Sequence, residues 1–458
     1  MSKTIPAGSI IHPVLVCYRI ANVCHTPSPS LANVCRAVKF YLLIFLQIIP
    51  GGMTGWSKAV FTVFMALDKR IKRHIWAKEH RFLVTQVPQL RAVCAKEIRE
   101  EGLALSEETE QGIYFTGRIE DAYRAHLMLR SASRIWLCLE SFKAGAREEL
   151  FRRATALPWE LLLNPRIPLD ISARVRHSRL EHEGETAETL TAAIQRRFSE
   201  AGGNSPKEKG AGDESPGQRL RVIVENNRVE LRVDLSGEHL HKRGYRLRQG
   251  AAPLRETLAA GIILWALEIR RKRHPEAAWP ERIHDPFCGS GTIPIEAEML
   301  RLGIGPGAGR EFLFMQQPHF RAAAFGHLRK KAAQPSGQPP ACRVGGSDSS
   351  REMLEIARQN CAAAGLEIGF DYADALGASL DRIFSNGTLI ICNPPYGERL
   401  AEGGVLLFRR IFARIQETGC SGVIILPRAL EAKLPHDGFT RKLSFTNGGI
   451  PVSAVYLD

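Results

Sequence analysis

The C-terminal half of the chain alternates short apolar runs with longer runs of helical periodicity, and this alternation constrains the fold most strongly. It predicts helices at residues 254–269, 293–302, 351–364 and 405–417, and strands at 282–285, 343–346, 388–392, 422–426, 441–446 and 451–457. Strands that alternate with helices form mostly parallel sheets with helices on both faces. The sequence therefore predicts an α/β domain, in which ligands bind at the carboxyl ends of the strands.

The N-terminal half has a different pattern of elements. It predicts strands at 81–85, 112–116, 133–140, 168–175, 220–225 and 228–234, and helices at 90–101, 119–130, 144–155 and 186–198. Asn226 and Asn227, between the last two strands, are typical of a tight hairpin turn. Residues 201–218 and 330–341 are rich in turn-forming residues, which indicates exposed insertions. This half is predicted to be a small α+β domain.

The first 64 residues differ from the rest, because they contain five basic and no acidic side chains. Their apolar run at 41–49 is shorter than the roughly 20 residues that a membrane-spanning helix needs, and it fits a cleavable signal poorly. The predicted organisation is an atypical extension over residues 1–76 outside the core fold, an α+β module over 77–240 and a catalytic domain over 241–458.

The charge of the chain indicates a polyanionic partner. Lys and Arg number 62 against 48 Asp and Glu in 458 residues, which leaves a formal charge of +14. The ten cysteines show neither a Cys-x-x-Cys pair nor the spacing of a zinc site. We therefore expect a cytoplasmic protein without a structural metal.

Residues 285–292 (Asp-Pro-Phe-Cys-Gly-Ser-Gly-Thr) join a predicted strand to a predicted helix. Glycines at such a turn let the backbone approach a ligand closely, although the turn matches neither the dinucleotide fingerprint nor the phosphate-binding loop. Asp348 ends the next strand, where an acidic side chain can bind both hydroxyls of a ribose or, alternatively, cap the following helix. Asp374, in a later loop, could accept a hydrogen bond from an adenine amino group.

Residues 393–396 (Asn-Pro-Pro-Tyr) directly follow the apolar strand 388–392. Prolines at a strand end fix the backbone and lack amide donors, so carbonyl acceptors remain. The Asn393 side chain and the Pro394 carbonyl could accept both hydrogens of a base amino group, while Tyr396 stacks on the ring. A rigid proline turn alone would explain the prolines but not the whole constellation.

Together, the two motifs resemble those of class I amino-methyltransferases. Residues 235–246 (Leu-Ser-Gly-Glu-His-Leu-His-Lys-Arg-Gly-Tyr-Arg) and 252–259 (Ala-Pro-Leu-Arg-Glu-Thr-Leu-Ala) narrow the resemblance to THUMP-domain enzymes, the bacterial 23S ribosomal RNA guanine-N2 methyltransferases. The resemblance covers residues 81–458. It implies a Rossmann-like S-adenosylmethionine methyltransferase domain preceded by a ferredoxin-like and THUMP module that binds structured RNA.

The resemblance also assigns residues. Asp285, Phe287, Gly289, Gly291, Asp348 and Asp374 would bind S-adenosylmethionine, and Asn393, Pro394, Pro395 and Tyr396 would hold the reacting base. Arg174, Arg176, His177 and Arg179 are candidates for contacts with RNA, each of which could equally be a solvated surface charge.

Two other functions stay open at this point. An adenine-N6 methyltransferase acting on DNA or RNA would use the same Asn-Pro-Pro-Tyr motif. A non-catalytic RNA-binding or ribosome-assembly protein would keep the fold, but it would not need an ordered cofactor turn beside a base clamp. Whether the RNA is ribosomal or transfer RNA, and which nucleotide is modified, do not follow from the sequence.

Overall fold

The computed structural model describes residues 65–458, except for 211, 215, 249–253, 278, 378–380, 396–403 and 435–438. Among the described residues, no helix is both long enough and apolar enough to cross a membrane. Two sheets organise this part of the chain, one in each half.

The first sheet has eight strands, β1 to β8, and five α-helices accompany it. The strands are β1 (His80–Gln86), β2 (Ala104–Thr109), β3 (Gly112–Gly117), β4 (Ala132–Cys138), β5 (Phe142–Lys143), β6 (Leu169–Arg176), β7 (Gln218–Glu225) and β8 (Arg228–Asp234). The helices are α1 (Arg91–Glu100), α2 (Ile119–Met128), α3 (Arg147–Thr155), α4 (Trp159–Leu162) and α5 (Glu183–Glu200). The strand order is β2-β3-β1-β4-β8-β7-β6, with β5 paired to β8, so the α+β prediction is confirmed.

One face of the first sheet carries the core of this half. Alternate strand residues such as Phe82, Ile135 and Val222 are buried there together with helix residues such as Tyr123 and Leu190. The predicted hairpin is confirmed, because Asn226 and Asn227 both adopt positive φ, at +51° and +59°.

Residues 65–76 correct the prediction that the chain up to residue 76 lies outside the core fold. Residues 65–71 are helical, and a π-helical turn, Lys72–Trp76, follows them. Ile71 and Ile75 are buried in the first core, and the indole N–H of Trp76 donates to the carbonyl of His319 at 2.8 Å. The sequence analysis missed this helix because basic residues separate its buried apolar positions, Ile71 and Ile75.

The second sheet has seven strands, β9 to β15, with helices α6 to α11. The strands are β9 (Arg282–Asp285), β10 (Arg343–Asp348), β11 (Gly369–Tyr372), β12 (Thr388–Cys392), β13 (Ser421–Pro427), β14 (Phe439–Asn447) and β15 (Ile450–Leu457). The helices are α6 (Glu256–Arg273), α7 (Thr292–Arg301), α8 (Ala322–Ala332), α9 (Arg351–Ala363), α10 (Gly404–Thr418) and α11 (Arg428–Glu431).

The order of the second sheet is β11-β10-β9-β12-β13-β15-β14. The first five strands are parallel, whereas β15 pairs antiparallel with both β13 and β14. Leu389 and Ile391 pack towards α6, and Ile390 and Cys392 pack towards α10, so both faces are covered. The structure therefore confirms the α/β fold of a class I methyltransferase.

Strand β9 is the topological switch point of this sheet, because the chain continues to β10 on one side and later to β12 on the other. Crevices open beyond the carboxyl ends of parallel strands at such a point. The segments that follow β9, β10 and β12 therefore lie at one edge of the sheet.

Candidate active site

The turn after β9 begins at Asp285, which is buried. Its Oδ1 accepts a hydrogen bond from the backbone N–H of Phe287 at 2.9 Å. Gly289 and Gly291 adopt positive φ, at +52° and +84°, which most residues with a Cβ avoid. The turn ends where α7 begins at Thr292, so the expected strand–turn–helix unit is present.

Asp348 connects the end of β10 to this turn. Its Oδ2 accepts a hydrogen bond from the backbone N–H of Gly289, and its Oδ1 accepts one from Ser350, each at 2.9 Å. The cap of α9 is Ser350, whose Oγ accepts from the backbone N–H of Met353 at 3.3 Å. The alternative role of Asp348 as the helix cap is therefore wrong, and its side chain fixes the glycine turn.

The environment of the turn disfavours buried charge. Burial raises the pKa of Asp285 well above its ordinary value, and the neighbouring carboxylate of Asp348 raises it further. Burial also lowers the pKa of His284 to about 4, and its Nε2 lies 3.0 Å from Oγ of Ser347. A carboxyl group that is costly to ionise therefore lies beside the carboxylate that holds the turn.

The motif after β12 contains a buried polar atom to which none of the described residues is hydrogen-bonded. Asn393 is half-buried and Pro394 is buried, whereas Pro395 is exposed. Oδ1 of Asn393 is shielded from solvent, yet none of the described residues donates a hydrogen bond to it. Buried polar atoms normally have partners, and an exception points to a ligand or a strained site. Tyr396 lies outside the described residues.

Asn393 and the glycine turn lie at the same edge of the sheet. Strands β12 and β9 are parallel, with Ile390 opposite His284. Asn393 therefore emerges from the sheet beside the turn that follows Asp285. Phe287 is half-buried and packs against the cluster that also contains Cys392, which joins the two motifs through apolar contact.

Asp374 lies at the same edge, beyond β11, and is exposed. Its Oδ1 accepts from the backbone N–H of Leu376 at 3.0 Å, and the preceding residue, Ala373, donates its N–H to the carbonyl of Asp348 at 3.2 Å. The structure thus brings together the predicted cofactor residues and the described part of the predicted base clamp.

Two positioning residues were missed by the sequence analysis. Asn360 on α9 donates from Nδ2 to the carbonyls of Ser290 and Arg248, each at 3.0 Å. Arg246 donates to Oγ1 of Thr292 at 2.9 Å and pairs with Glu256 at 2.7 Å. Both residues tie the segment before α6 to the glycine turn. Arg246 ends a quoted motif, but only the fold reveals its partners.

The four residues predicted to contact RNA lie on or just after β6, at the edge of the first sheet. Arg174 and Arg176 are exposed and project from the same face of the strand. His177 is exposed in a turn with φ +49°, and the backbone N–H of Arg179 donates to Oδ1 of Asn227 at 2.8 Å. The guanidinium of Arg179 lies near Gly145, just before α3, so the structure does not place all four side chains on one face of the sheet.

Over the described part of the chain, no cluster of three or more His, Cys, Asp or Glu side chains could hold a metal ion. The described cysteines are all free and buried.

Comparison with known proteins identifies the family. Residues 243–427 match the family model described as "RMKL-like, methyltransferase domain", and residues 81–136 match the "RlmL ferredoxin-like domain". A "Ribosomal RNA large subunit methyltransferase K/L" from Syntrophotalea carbinolica is 32% identical over 350 residues, which is 74% of this chain and 47% of that protein. The chain thus spans about half the length of the curated relatives that it matches.

Two solved structures are similar over most of the chain. One, titled as a predicted N6-adenine-specific DNA methylase from Listeria monocytogenes, is 29% identical with a TM-score of 0.69, covering 83% of this chain and 97% of that one. The other, SMU.472 complexed with SAH, is 28% identical with a TM-score of 0.67, covering 83% and 98%. The chain therefore belongs to the family of class I methyltransferases in which an RMKL-like methyltransferase domain follows an RlmL-type ferredoxin-like domain.

Proposed function

We propose that this chain uses S-adenosylmethionine to methylate an exocyclic amino group of a base in structured RNA, namely guanine N2 of large-subunit ribosomal RNA. The observation that carries the proposal is the buried Oδ1 of Asn393 beside the glycine turn, to which no described residue donates a hydrogen bond. The names of the curated relatives support the choice of ribosomal RNA. The charge of +14 supports a polyanionic substrate.

The residues at the edge of the sheet fit S-adenosylmethionine. The carboxylate of Asp348 already accepts hydrogen bonds from two backbone N–H groups. Its remaining acceptor sites can take further hydrogen bonds from ribose hydroxyls. Asp285, Phe287, Gly289, Gly291 and Asp374 would complete the cofactor site. The bound cofactor supplies an activated methyl group on a sulfonium, and its positive charge would favour ionisation of the buried Asp285 carboxyl.

The base amino group would bind at Asn393 and Pro394. Asn393 Oδ1 accepts one amino hydrogen and the carbonyl of Pro394 accepts the other, which withdraws the nitrogen lone pair from the ring and fixes its direction. Pro395 lacks an N–H that could compete for these acceptors, and Tyr396 stacks on the base. Positioning provides most of the rate in this scheme, and no strong general base is required.

The remaining predictions form part of the same proposal. Residues 77–240 act as the RNA-binding module and 241–458 as the catalytic domain, and the protein acts in the cytoplasm. Arg174, Arg176, His177 and Arg179 contact the RNA backbone.

An adenine-N6 methyltransferase is the second candidate, because the similar Listeria structure bears that name. Mass-spectrometric nucleoside analysis of ribosomal and transfer RNA, and of DNA, from cells with and without this gene distinguishes the two. Loss of N2-methylguanosine from ribosomal RNA supports the proposal, whereas loss of N6-methyladenosine or of N6-methyldeoxyadenosine replaces it with the second candidate. Cells that express only Asn393→Ala protein are the matched control, since they keep the fold and lack the proposed base acceptor.

A further inference from the structure

The described helices of the first half pack on one face of the first sheet, and the opposite face, on which none of their hydrophobic side chains packs, is defined here as the open face. The strand register places on it Arg81, Tyr114, Arg134, Trp136, Asp170, Arg174, Arg176, Arg219, Arg221, Glu225, Arg228, Glu230, Arg232 and Asp234. Its small apolar cluster consists of Leu83, Tyr114, Trp136 and Cys138, all from strands. Within the described ranges, no hydrophobic side chain from a helix packs against this cluster.

Arginines cover the aromatic rings of the open face. The guanidinium of Arg81 lies 3.7 Å from the ring centroid of Tyr114, and that of Arg221 lies 5.1 Å from the ring centroid of Trp136. Trp136 is buried under this layer, although the described residues of its apolar cluster all come from strands. Guanidiniums held on aromatic rings are partly ordered in advance, which reduces the entropy that binding a ligand costs.

Some arginines of the open face are neutralised and others are not. Arg134 pairs with Asp234, Arg232 with Glu230, and Arg219 with Asp170. Arg174, Arg176 and Arg221 are exposed, and no carboxylate of the described residues lies within salt-bridge distance of their guanidiniums. Arg228 on β8 is exposed as well, and among the described residues its Nε donates to Oγ of Ser141 at 2.9 Å rather than to a carboxylate. The unpaired arginines of the open face therefore lie on β6, β7 and β8.

The open face is continuous with the segment that leads to the glycine turn. The carbonyl of Gly237 accepts from Arg219 at 3.0 Å and also from Arg134. His239 and His241 follow with their rings stacked at 5.6 Å. Burial lowers the pKa of each to about 4; the charges of Arg134 and Arg219 on the open face contribute at His239, and those of Arg255 and Arg243 contribute at His241. The segment then reaches Arg246, which bonds Thr292 at the start of α7.

We propose that the open face is a docking surface for the phosphate backbone of the RNA substrate, with Arg221 on Trp136 and Arg174 as its principal contacts. The inference rests on the proposed function and adds to it a surface formed by β4, β6 and β7. The partner is a nucleic acid backbone because eight arginines of the described open face outnumber its four carboxylates, and guanidiniums lie over its aromatic rings.

The experiment compares two double variants of the full chain. Arg174→Ala with Arg221→Ala removes two unpaired charges from the open face. Arg152→Ala with Arg153→Ala removes two exposed charges from α3, on the helical side of the same sheet. Binding of a fluorescein-labelled RNA hairpin is measured by anisotropy at several salt concentrations. Methylation of a large-subunit ribosomal RNA transcript and calorimetric binding of S-adenosylhomocysteine are measured in parallel.

The open-face variant should bind RNA about tenfold more weakly, and the slope of log K against log salt should fall by about 1.5, as for two lost phosphate contacts. Its KM for RNA should rise at unchanged kcat and unchanged cofactor affinity, while the α3 variant stays within about twofold of wild type. If wild type methylates RNA but the open-face variant binds it equally well, or the α3 variant loses as much, the docking surface and the RNA contact of Arg174 are refuted, while the proposed methylation of RNA stands. If wild type neither binds nor methylates RNA, both proposals fail.

Discussion

Asn393 and Asn360 are both shielded asparagines, and they should respond oppositely to substitution by alanine. Oδ1 of Asn393 has no partner among the described residues, whereas the side chain of Asn360 makes hydrogen bonds to Leu247, Arg248 and Ser290. A buried acceptor without a partner costs about 1–3 kcal/mol, which is regained when a base amino group binds. Asn393→Ala should therefore leave the free energy of unfolding unchanged or slightly raised, while Asn360→Ala should lower it by about 2–3 kcal/mol.

The catalytic consequence of Asn393→Ala should be large. The substitution removes one of the two acceptors that orient the amino group, so the loss of transition-state stabilisation should be at least ~2.7 kcal/mol, or about a hundredfold in kcat. Asn393→Leu should behave like alanine, because it restores the volume without the acceptor. Asn393→Asp should retain more activity, since one oxygen stays in place, and that activity should rise with pH as the carboxyl ionises.

Three measurements check this reasoning. Urea unfolding gives the stabilities of the Asn393→Ala and Asn360→Ala variants, transfer of a radiolabelled methyl group to ribosomal RNA gives kcat, and calorimetry gives the affinity for S-adenosylhomocysteine. If Asn393→Ala destabilises the protein as much as Asn360→Ala, Oδ1 of Asn393 has a structural partner in the free protein, and the argument that it is reserved for the base amino group is wrong. If Asn393→Ala keeps kcat within threefold of wild type, the base is not held by this residue.

Three further predictions follow from the same edge of the sheet and from the N-terminal helix. Asp348→Ala should weaken binding of S-adenosylmethionine by about 1–3 kcal/mol, and equal calorimetric affinities would remove Asp348 from the cofactor site. Burial raises the pKa of Asp285, so its protonated form stabilises the fold at low pH and that contribution is lost as pH rises from its ordinary value near ~3.9 towards the raised one. Without cofactor, Asp285→Asn should therefore gain stability relative to wild type between about pH 5 and pH 8 in urea unfolding, and a constant difference would show that the carboxyl is ionised throughout. Deletion of residues 1–64 should leave folding and activity intact. Deletion of residues 1–76 also removes the buried Ile71 and Ile75, so it should destabilise the protein by about 3 kcal/mol or more in thermal unfolding. Equal melting temperatures for the two deletions would contradict this.

Elements with a strong burial pattern were predictable from the sequence. Strands β9 and β12 match their predicted bounds because all or nearly all of their residues are buried. The sequence analysis missed β2, β11 and α8, and also α4, β5 and α11, whose two to four residues are too few to show a period. No residue of β2 is buried, β11 buries only Phe370, and α8 buries only Phe325 and Ala332. Elements at the edge of a sheet or on the surface lack the periodicity on which such predictions depend.

The glycine turn and the Asn-Pro-Pro motif were predictable as local signals, because each is contiguous in sequence. That both motifs lie at the same edge of the sheet was also predictable, because each follows a parallel strand next to the switch point. The sequence could not show that both carboxylate oxygens of Asp348 accept hydrogen bonds from backbone N–H groups, or that none of the described residues donates to Oδ1 of Asn393. Such facts depend on distances between segments far apart in the chain.

The connection between α7 and β10 departs most clearly from the prediction of two separate modules. Phe312, Phe314, Phe320 and Phe325 are encoded in the catalytic half, yet they belong to the core of the first sheet. Tyr123 on α2 stacks on Phe314 with ring centroids 4.7 Å apart, and Gly307 passes so close to α2 that a Cβ there would lie 2.2 Å from the carbonyl oxygen of His126.

Burial of each phenylalanine contributes about 1.5–3 kcal/mol, so the four together match the whole stability of a typical domain. The connection therefore fixes the first sheet against the catalytic sheet. On the proposals above, a base at Asn393 and a backbone on the open face would be held by two sheets that this packed connection joins. Contacts on the first sheet would then help to determine which nucleotide reaches Asn393.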